Sequence, residues 1–568
     1  MENGRRHGQI LLRVIREHIP IALAYLGLAI IFTYPQITGL TTSVPQSPLG
    51  LSSDPYLMLW NAWWAKESLI DLRANPFFTD YLFYPNGTSL AFHELTLLNG
   101  IITIPFQVLL DGPRGLILGY NMVILLSFVL AGVGMFALIK HLIGSASAAF
   151  FGGVAFAFCP YRTMHIVHMD LLSMGWIPLY MLSLIRTFRE EGYLNPIWAG
   201  LLFCATWLSC SVYAYFLLLM TGLFAVYGLL FNRKEMQPKH FIHRFALLVF
   251  LLAVAITPRL IAMLRAGGAV EQPGEVIDIL SANLLGYLIP TEKHALYRFI
   301  FGLIRGHSFY LTGVPGHATF LTFTVIALAA VAVARLPLRT TGFWLVVFLA
   351  SVTLSLGPRL HVWRWATLVP LPYALLYKFA PLFNVIRTPY RFVVLAEIGI
   401  VVLSCYGLRY LIFGSRRAAS QGSIEGRQTA RAGTRRSVIV GVFTALLCME
   451  LWNIPFRKYP ITAPPVYSGI GKEHGSFAVL DLPATQYPEL TRSMYYQTLH
   501  EKPIPIGVLS RTNPTLKDFA TNLLPKSASP GELHEEEIER LEGNRIKYLI
   551  YHKYDDDMDH IDPIVKVF

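Results

Sequence analysis

Asp54 is the acidic side chain best placed to act as a base. It follows the first long apolar run, precedes Pro55, and is trailed by Trp60, Trp63 and Trp64. A carboxylate at such an edge suits a general base that deprotonates a hydroxyl. Asp-Pro is also a common helix start, so Asp54 could equally cap the helix that Pro55 opens, and the two roles are compatible. The same stretch continues with Asp80, Tyr84-Pro85-Asn86-Gly87 and His93-Glu94, which add polar groups suited to substrate binding.

A second constellation reads Phe158-Cys159-Pro160-Tyr161-Arg162, then His165, His168 and Asp170. Ionisable groups beside an apolar run are expensive unless they line a cavity. They suit acceptor binding or proton transfer, with Asp170 as the second acid/base; interfacial side chains reaching water are the alternative. His165 and His168, three apart, could share a helix face and hold a divalent metal, but no third ligand accompanies them. Arg387-Thr388-Pro389-Tyr390-Arg391 precedes another apolar run. Two guanidinium groups there suit a phosphate or pyrophosphate, which they bind bidentately, or else lipid headgroups. Asn283 to His294 reads as a re-entrant loop, and Asp555-Asp556-Asp557 as a solvated turn lacking the glycine and glutamate of a calcium loop.

The elements that must position these groups are membrane helices. The chain of 568 residues has mean hydropathy +0.48 and only 14% charged residues, against about a quarter in soluble chains. Its apolar residues come in uncharged runs such as Gly115 to Ile139 and Phe320 to Ala334, long enough with their flanks to cross a bilayer core of about 30 Å. The expected architecture is an all-α polytopic bundle of about 11 transmembrane helices, near 18–38, 116–138, 146–160, 170–186, 196–211, 213–231, 244–262, 316–334, 341–357, 391–413 and 437–454. No cleavage site follows the first run, so it reads as an anchor. The net charge of +12 collects between apolar runs, the positive-inside pattern, which argues against nucleic acid as a partner. The five cysteines lie in or beside apolar runs, leaving the C-terminal stretch without a disulfide framework.

Arg5, Arg6, Arg13 and Arg16 place the N-terminus in the cytoplasm. Alternation then leaves Lys140, Arg186/Arg189, Arg233/Lys234/Lys239, Arg335/Arg339 and a basic linker over 414–436 on the same side. The outer loops are 41–94, 263–315 and 358–390, within a transmembrane region of 1–454. The outer stretch from Pro358 to Arg391 carries five basic residues and no acid, so either the local topology differs or an anionic partner lies outside. Leu95 to Leu110 is apolar but short and contains Pro105; it reads as an interfacial or re-entrant helix. Tyr56 to Trp64 could lie in the interface as an amphipathic helix. Residues 463–568 form a strand at Ser476 to Leu482, helical stretches, a charged helix at Glu532 to Glu542 and a strand at Ile546 to His552, the pattern of a small extracytoplasmic α/β domain.

An early Asp after the first span, followed by an interfacial helix, resembles the GT-C glycosyltransferases. These include lipid-A aminoarabinose transferases and protein O-mannosyltransferases, with bacterial multi-pass proteins at the edge of the superfamily closer still. The likeness rests on Ser53-Asp54-Pro55 with Trp60 and Trp64, Phe83-Tyr84-Pro85 with Gly87, Phe156 to Arg162 with His168, Trp176-Ile177-Pro178-Leu179, Arg387 to Arg391, and Met494 to Thr498 with His500. It covers most of the chain in short motifs. The resemblance implies an inner-membrane transferase that uses a polyprenyl-phosphate sugar as donor and a glycan, lipid or protein acceptor outside. It maps the catalytic carboxylates onto Asp54 and Asp170, with Arg162, His165, His168, Arg387, Arg391, Asp80, His93 and Glu94 as binding groups. No Asp-x-Asp or Glu-Asp pair surrounds Asp54, a departure from the family pattern that puts catalysis in doubt. The alternatives are a flippase, ligase or polymerase of lipid-linked oligosaccharides, which needs the arginines without the acid, and a non-catalytic envelope scaffold.

Overall fold

The computed structural model describes residues 18–46, 53–231, 238–265, 274–290, 319–362, 365–380, 383, 386–414, 430–453, 455–484, 487–511, 514–525, 533–554 and 560–568. The N-terminal arginines, Arg233 and Lys234, Glu292 to His294, most of the basic linker and the Asp555 to Asp557 run lie outside them.

The chain is mostly helical, as its hydropathy demands. Six helices among the described residues are long and apolar enough to cross a membrane: Pro113–Ile143, Met169–Arg189, Ser211–Phe231, Ile242–Arg265, Leu338–Ser355 and Pro389–Phe413. The other five expected spans overlap shorter or less apolar helices, among them His18–Phe32, Leu194–Ser209 and Phe323–Arg335. Pro113–Ile143 has Pro at its first turn and ends at Gly144 in the left-handed region (φ 74°), the favoured residues at those two ends. Close packing relies on missing side chains. A Cβ on Gly132 would meet the Tyr25 ring at 2.6 Å, and one on Gly407 would meet the Leu328 carbonyl at 1.9 Å. Small residues let apolar helices approach backbone to backbone in this way. Pro389–Phe413 is the most enclosed of the six spans and carries the Arg391 end of the candidate site.

Helix Leu97–Leu109 has 13 residues, about 20 Å of rise, short of the ~30 Å hydrocarbon thickness. Its polarity is inverted relative to a soluble helix. Asn99, Gly100, Thr103 and Gln107 face inward, while Val108 and Leu109 are exposed. Helix Asp54–Lys66 corrects the expectation of an amphipathic interfacial helix. Every residue from Pro55 to Ala65 is buried, so protein covers it on all sides, as a helix apolar around its whole circumference requires.

Part of that cover comes from the C-terminal tail. Strand Ala478–Leu482 pairs parallel with Ile546–Tyr554, which pairs antiparallel with His560–Val567. The last strand escapes sequence reading because Pro563 interrupts it; as an edge strand it tolerates the lost donor. Helix Tyr487–His500 lies against Asp54–Lys66. Trp60 Nε1 donates to Gln497 Oε1 (2.8 Å), Gln497 Nε2 donates to the Tyr81 carbonyl (2.7 Å), and the Tyr56 and Tyr495 rings meet at 5.5 Å. Strand Ser43–Pro45 pairs with Lys458–Pro460 and ties the first loop to the start of the tail.

Candidate active site

Ser53 takes the N-cap position and Asp54 is the first residue of its helix. Both carboxylate oxygens of Asp54 reach residues distant in sequence. Oδ2 lies 3.0 Å from His168 Nε2, and Oδ1 accepts from the Tyr487 hydroxyl at 2.7 Å. Asp54 thus sits between the segment after helix Ala146–Ala157 and the first residue of the tail helix.

That segment turns sharply because Pro160 opens a five-residue helix, Pro160–Met164, and a second short helix follows at Met169–Leu172. The turn puts His165, His168 and Asp170 together. The His165 and His168 rings meet edge to face at 5.3 Å, and His165 Nε2 is hydrogen-bonded to the Tyr390 hydroxyl at 3.1 Å. Asp170 is buried, and its Oδ1 has no hydrogen-bond partner among the described residues; the same holds for His168 Nδ1 and Arg391 Nε. A well-packed fold rarely leaves such atoms unmatched, so they mark a place for a polar ligand or water.

Electrostatics bind the group into one unit. Burial pulls the His168 imidazole toward neutrality. The hydrogen bond to Asp54 and the charges of Asp54 and Asp170 outweigh it, so its pKa is raised, with Arg391 opposing. Burial holds Arg387 below its ordinary value, and the nearby guanidinium groups of Arg391 and Arg511 push the same way. Burial and the Asp54 charge push the Tyr487 phenol up, keeping it a hydrogen-bond donor. The structure therefore assembles Asp54, His165, His168, Asp170, Arg387 and Arg391, two acids beside a cluster of arginines.

Of the other four expected binding residues, Arg162, His93 and Glu94 take partners within the fold and Asp80 is exposed. Arg162 is fully buried: Nη1 donates to the Leu172 carbonyl (2.6 Å), Nη2 to Ser127 Oγ (2.9 Å), and its guanidinium lies over Phe128. It braces the turn that carries Asp170. His93 Nε2 bonds Asn61 Oδ1 (2.9 Å) and Nδ1 accepts from the Ser510 amide (3.2 Å); burial, with Arg259 nearby, lowers its pKa to about 3. Glu94 accepts from the Ser211 amide (3.0 Å) and hydroxyl at the start of helix Ser211–Phe231, and burial raises its pKa. Asp80 stands exposed on the hairpin of Phe78–Thr79 and Thr88–Ser89. Among the described residues no three His, Cys, Asp or Glu side chains are grouped to hold a metal ion, and all five cysteines are free thiols.

Sequence reading missed Tyr487 and Arg511, both from the tail. Ser510 fixes the place of Arg511, since its amide donates to His93 and its hydroxyl accepts from the Glu94 amide. No local pattern around Tyr487 or Arg511 signals a contact with the first loop.

No family model and no curated protein sequence matches the chain. Solved structures do. The arabinofuranosyltransferase AftD from Mycobacteria superposes with TM-score 0.57 at 17% identity over 96% of this chain and 35% of that one. The Archaeoglobus fulgidus oligosaccharyltransferase in its apo form gives TM-score 0.50 at 12% identity over 94% of this chain and 69% of that one. The same enzyme tethered to an acceptor peptide gives TM-score 0.50 at 12% identity, over 95% and 70%. The chain thus spans about a third of the length of AftD. Over most of its length the chain shares the fold of these solved transferases.

Proposed function

We propose that the protein transfers a sugar from a polyprenyl-phosphate donor to a cell-envelope acceptor on the outer face of a bacterial plasma membrane. The observation that carries this reading is the convergence of Asp54, His168 and Asp170 with Arg387 and Arg391 at one end of the helices. In the proposed reaction Asp54 takes the proton of the acceptor hydroxyl as that oxygen attacks the anomeric carbon. The bond from that carbon to the phosphate oxygen breaks, and its electron pair stays on the lipid phosphate, where Arg387 and Arg391 offset the charge. His168 orients Asp54, and Asp170 presents its unpartnered oxygen to the acceptor. The fold supports the reaction class, because GT-C neighbours named as transferases share it.

The same reading takes about 11 spans, residues 1–454 as the membrane region, an N-terminus in the cytoplasm, and residues 463–568 as an extracytoplasmic α/β domain. Leu97–Leu109 then lies at the interface without crossing. A flippase, ligase or polymerase of lipid-linked oligosaccharides is the second reading, favoured by the arginine cluster, which holds a lipid phosphate without needing Asp54.

Mass spectrometry of lipid-linked sugars and envelope glycans separates the two. A deletion strain is complemented with wild type or with Asp54→Asn. Accumulation of a polyprenyl-phosphate sugar and loss of one glycan residue in both the deletion and the mutant supports transfer. Full restoration by Asp54→Asn refutes it in favour of transport, and unchanged glycans in the deletion refute both.

A further inference from the structure

Outside the Asp54 cluster, one exposed apolar surface is carried by a β-hairpin and a short helix instead of a long apolar helix. Strands Arg359–Val362 and Trp365–Pro370 form an antiparallel hairpin, and helix Pro372–Phe379 follows directly. Their large apolar side chains point away from the fold: Trp365 is 74% exposed, Leu368 93%, Leu375 64% and Phe379 72%. Leu375 and Phe379 lie one helical turn apart on a common face. Tyr373 points the other way and is fully buried, its hydroxyl donating to the Ile386 carbonyl at 2.9 Å and its ring against Phe383.

Three features identify what covers this face. The hairpin begins four residues after Leu338–Ser355 ends and its helix stops ten residues before Pro389–Phe413 begins, so the segment is tethered to the ends of two apolar helices. Arg359 and Lys378 are exposed beside the apolar residues, and no acid occurs from Pro358 to Arg391. Finally, half the segment is a two-stranded hairpin whose strand Trp365–Pro370 has no second strand partner among the described residues, and such an edge cannot sit in hydrocarbon because its outer backbone groups would lack partners. Apolar and aromatic side chains with a basic flank, at the end of spanning helices but on a backbone that needs water, fit the headgroup layer.

We propose that residues 359–362 and 365–379 are seated in the lipid headgroup layer at the end of these helices, with Leu368, Leu375 and Phe379 among the upper acyl carbons and Arg359 and Lys378 on anionic phospholipid headgroups. The basic stretch thereby has its anionic partner, and the segment ties the leaflet to the site, since Tyr373 holds Ile386 next to Arg387.

The test uses the full chain in phospholipid vesicles with a nitroxide on Leu368→Cys or Leu375→Cys. Unsubstituted protein labelled in parallel gives the background of the native cysteines, and Glu536→Cys on an exposed tail helix is the aqueous reference. The expected ratio of oxygen to nickel-chelate accessibility at both sites is severalfold above that at Glu536. It falls when phosphatidylglycerol is replaced by phosphatidylcholine. A ratio equal to the aqueous reference overturns the proposal, as does closure to both reagents, which means a protein partner. Insensitivity to phosphatidylglycerol overturns the assignment of the two basic residues. None of these results depends on sugar transfer, so this proposal can fail while the functional reading stands.

Discussion

His168 Nε2 lies 3.0 Å from Asp54 Oδ2, across 114 residues of chain. The pair joins the first loop to the turn after helix Ala146–Ala157, and Asp170 and Arg391 bear on it from either side in charge.

The His168 pKa is raised in the folded protein, so its charged form is favoured by folding. The stability this contributes is fully present below the ordinary histidine value of about 6.5 and is lost as pH rises through the folded value. Thermal unfolding in detergent is expected to show a midpoint falling with pH above that point, and His168→Gln should remove that part of the slope. A wild-type profile flat from pH 6 to 9 contradicts the pairing.

Asp54→Asn keeps the shape of the side chain but removes the base. Transfer from lipid-linked donor in isolated membranes is expected to drop about 10²–10⁴-fold, the usual worth of a positioned general base. Membrane insertion and protein level should match wild type.

Tyr487→Phe deletes one donor to the Asp54 carboxylate and nothing else in volume. A hydrogen bond to a charged group contributes about 1.5–3 kcal/mol to stability, so the unfolding temperature should fall and the pH at which Asp54 titrates in the activity profile should rise. The tail should remain docked, since Gln497 and Tyr495 still hold it, and limited proteolysis checks this.

Arg162→Met is expected to act on stability. It leaves the Leu172 carbonyl and Ser127 hydroxyl without a buried charged donor, a loss of about 2–4 kcal/mol. Yield of folded protein in detergent and its unfolding temperature should both drop, with donor KM unchanged in whatever folds. A raised KM at normal stability would return Arg162 to the substrate.

Arg387→Ala removes one guanidinium from beside Arg391 and Arg511. Loss of preorganised charge at the leaving phosphate is expected to cost about 10²–10³ in turnover. The donor-release assay should show it even where acceptor binding is intact.

The membrane character and the key acids were legible because their signals are local. Apolar runs show directly in composition, and a charged group beside such a run is costly enough to mark a site. That reasoning singled out Asp54, His168, Asp170, Arg387 and Arg391, which the fold brings near one another, and their roles are those proposed above. It could not separate Arg162 from them, since an arginine braced on a carbonyl and one facing a ligand look alike in sequence. His93 and Glu94 take distant partners that no local pattern announces: Asn61 for the histidine, and the start of helix Ser211–Phe231 for the carboxylate. Tyr487 and Arg511 were invisible because nothing in the tail encodes its docking on Trp60 and His93. The interfacial reading of Tyr56 to Trp64 failed for the same cause, as the cover over those tryptophans arrives from the tail.

That docking has a consequence in time. Tyr487 follows Asp54 by 433 residues, so at a synthesis rate of about 5–20 residues per second the helix Asp54–Lys66 waits roughly 20–90 s for its cover. Throughout that interval Trp60 and Trp64, both fully enclosed in the finished protein, have no tail to shelter them. A nascent chain that stalls before residue 487 therefore displays a ready mark of incompleteness to the proteases and chaperones of the membrane, and the site closes only once the tail helix Tyr487–His500 has been delivered.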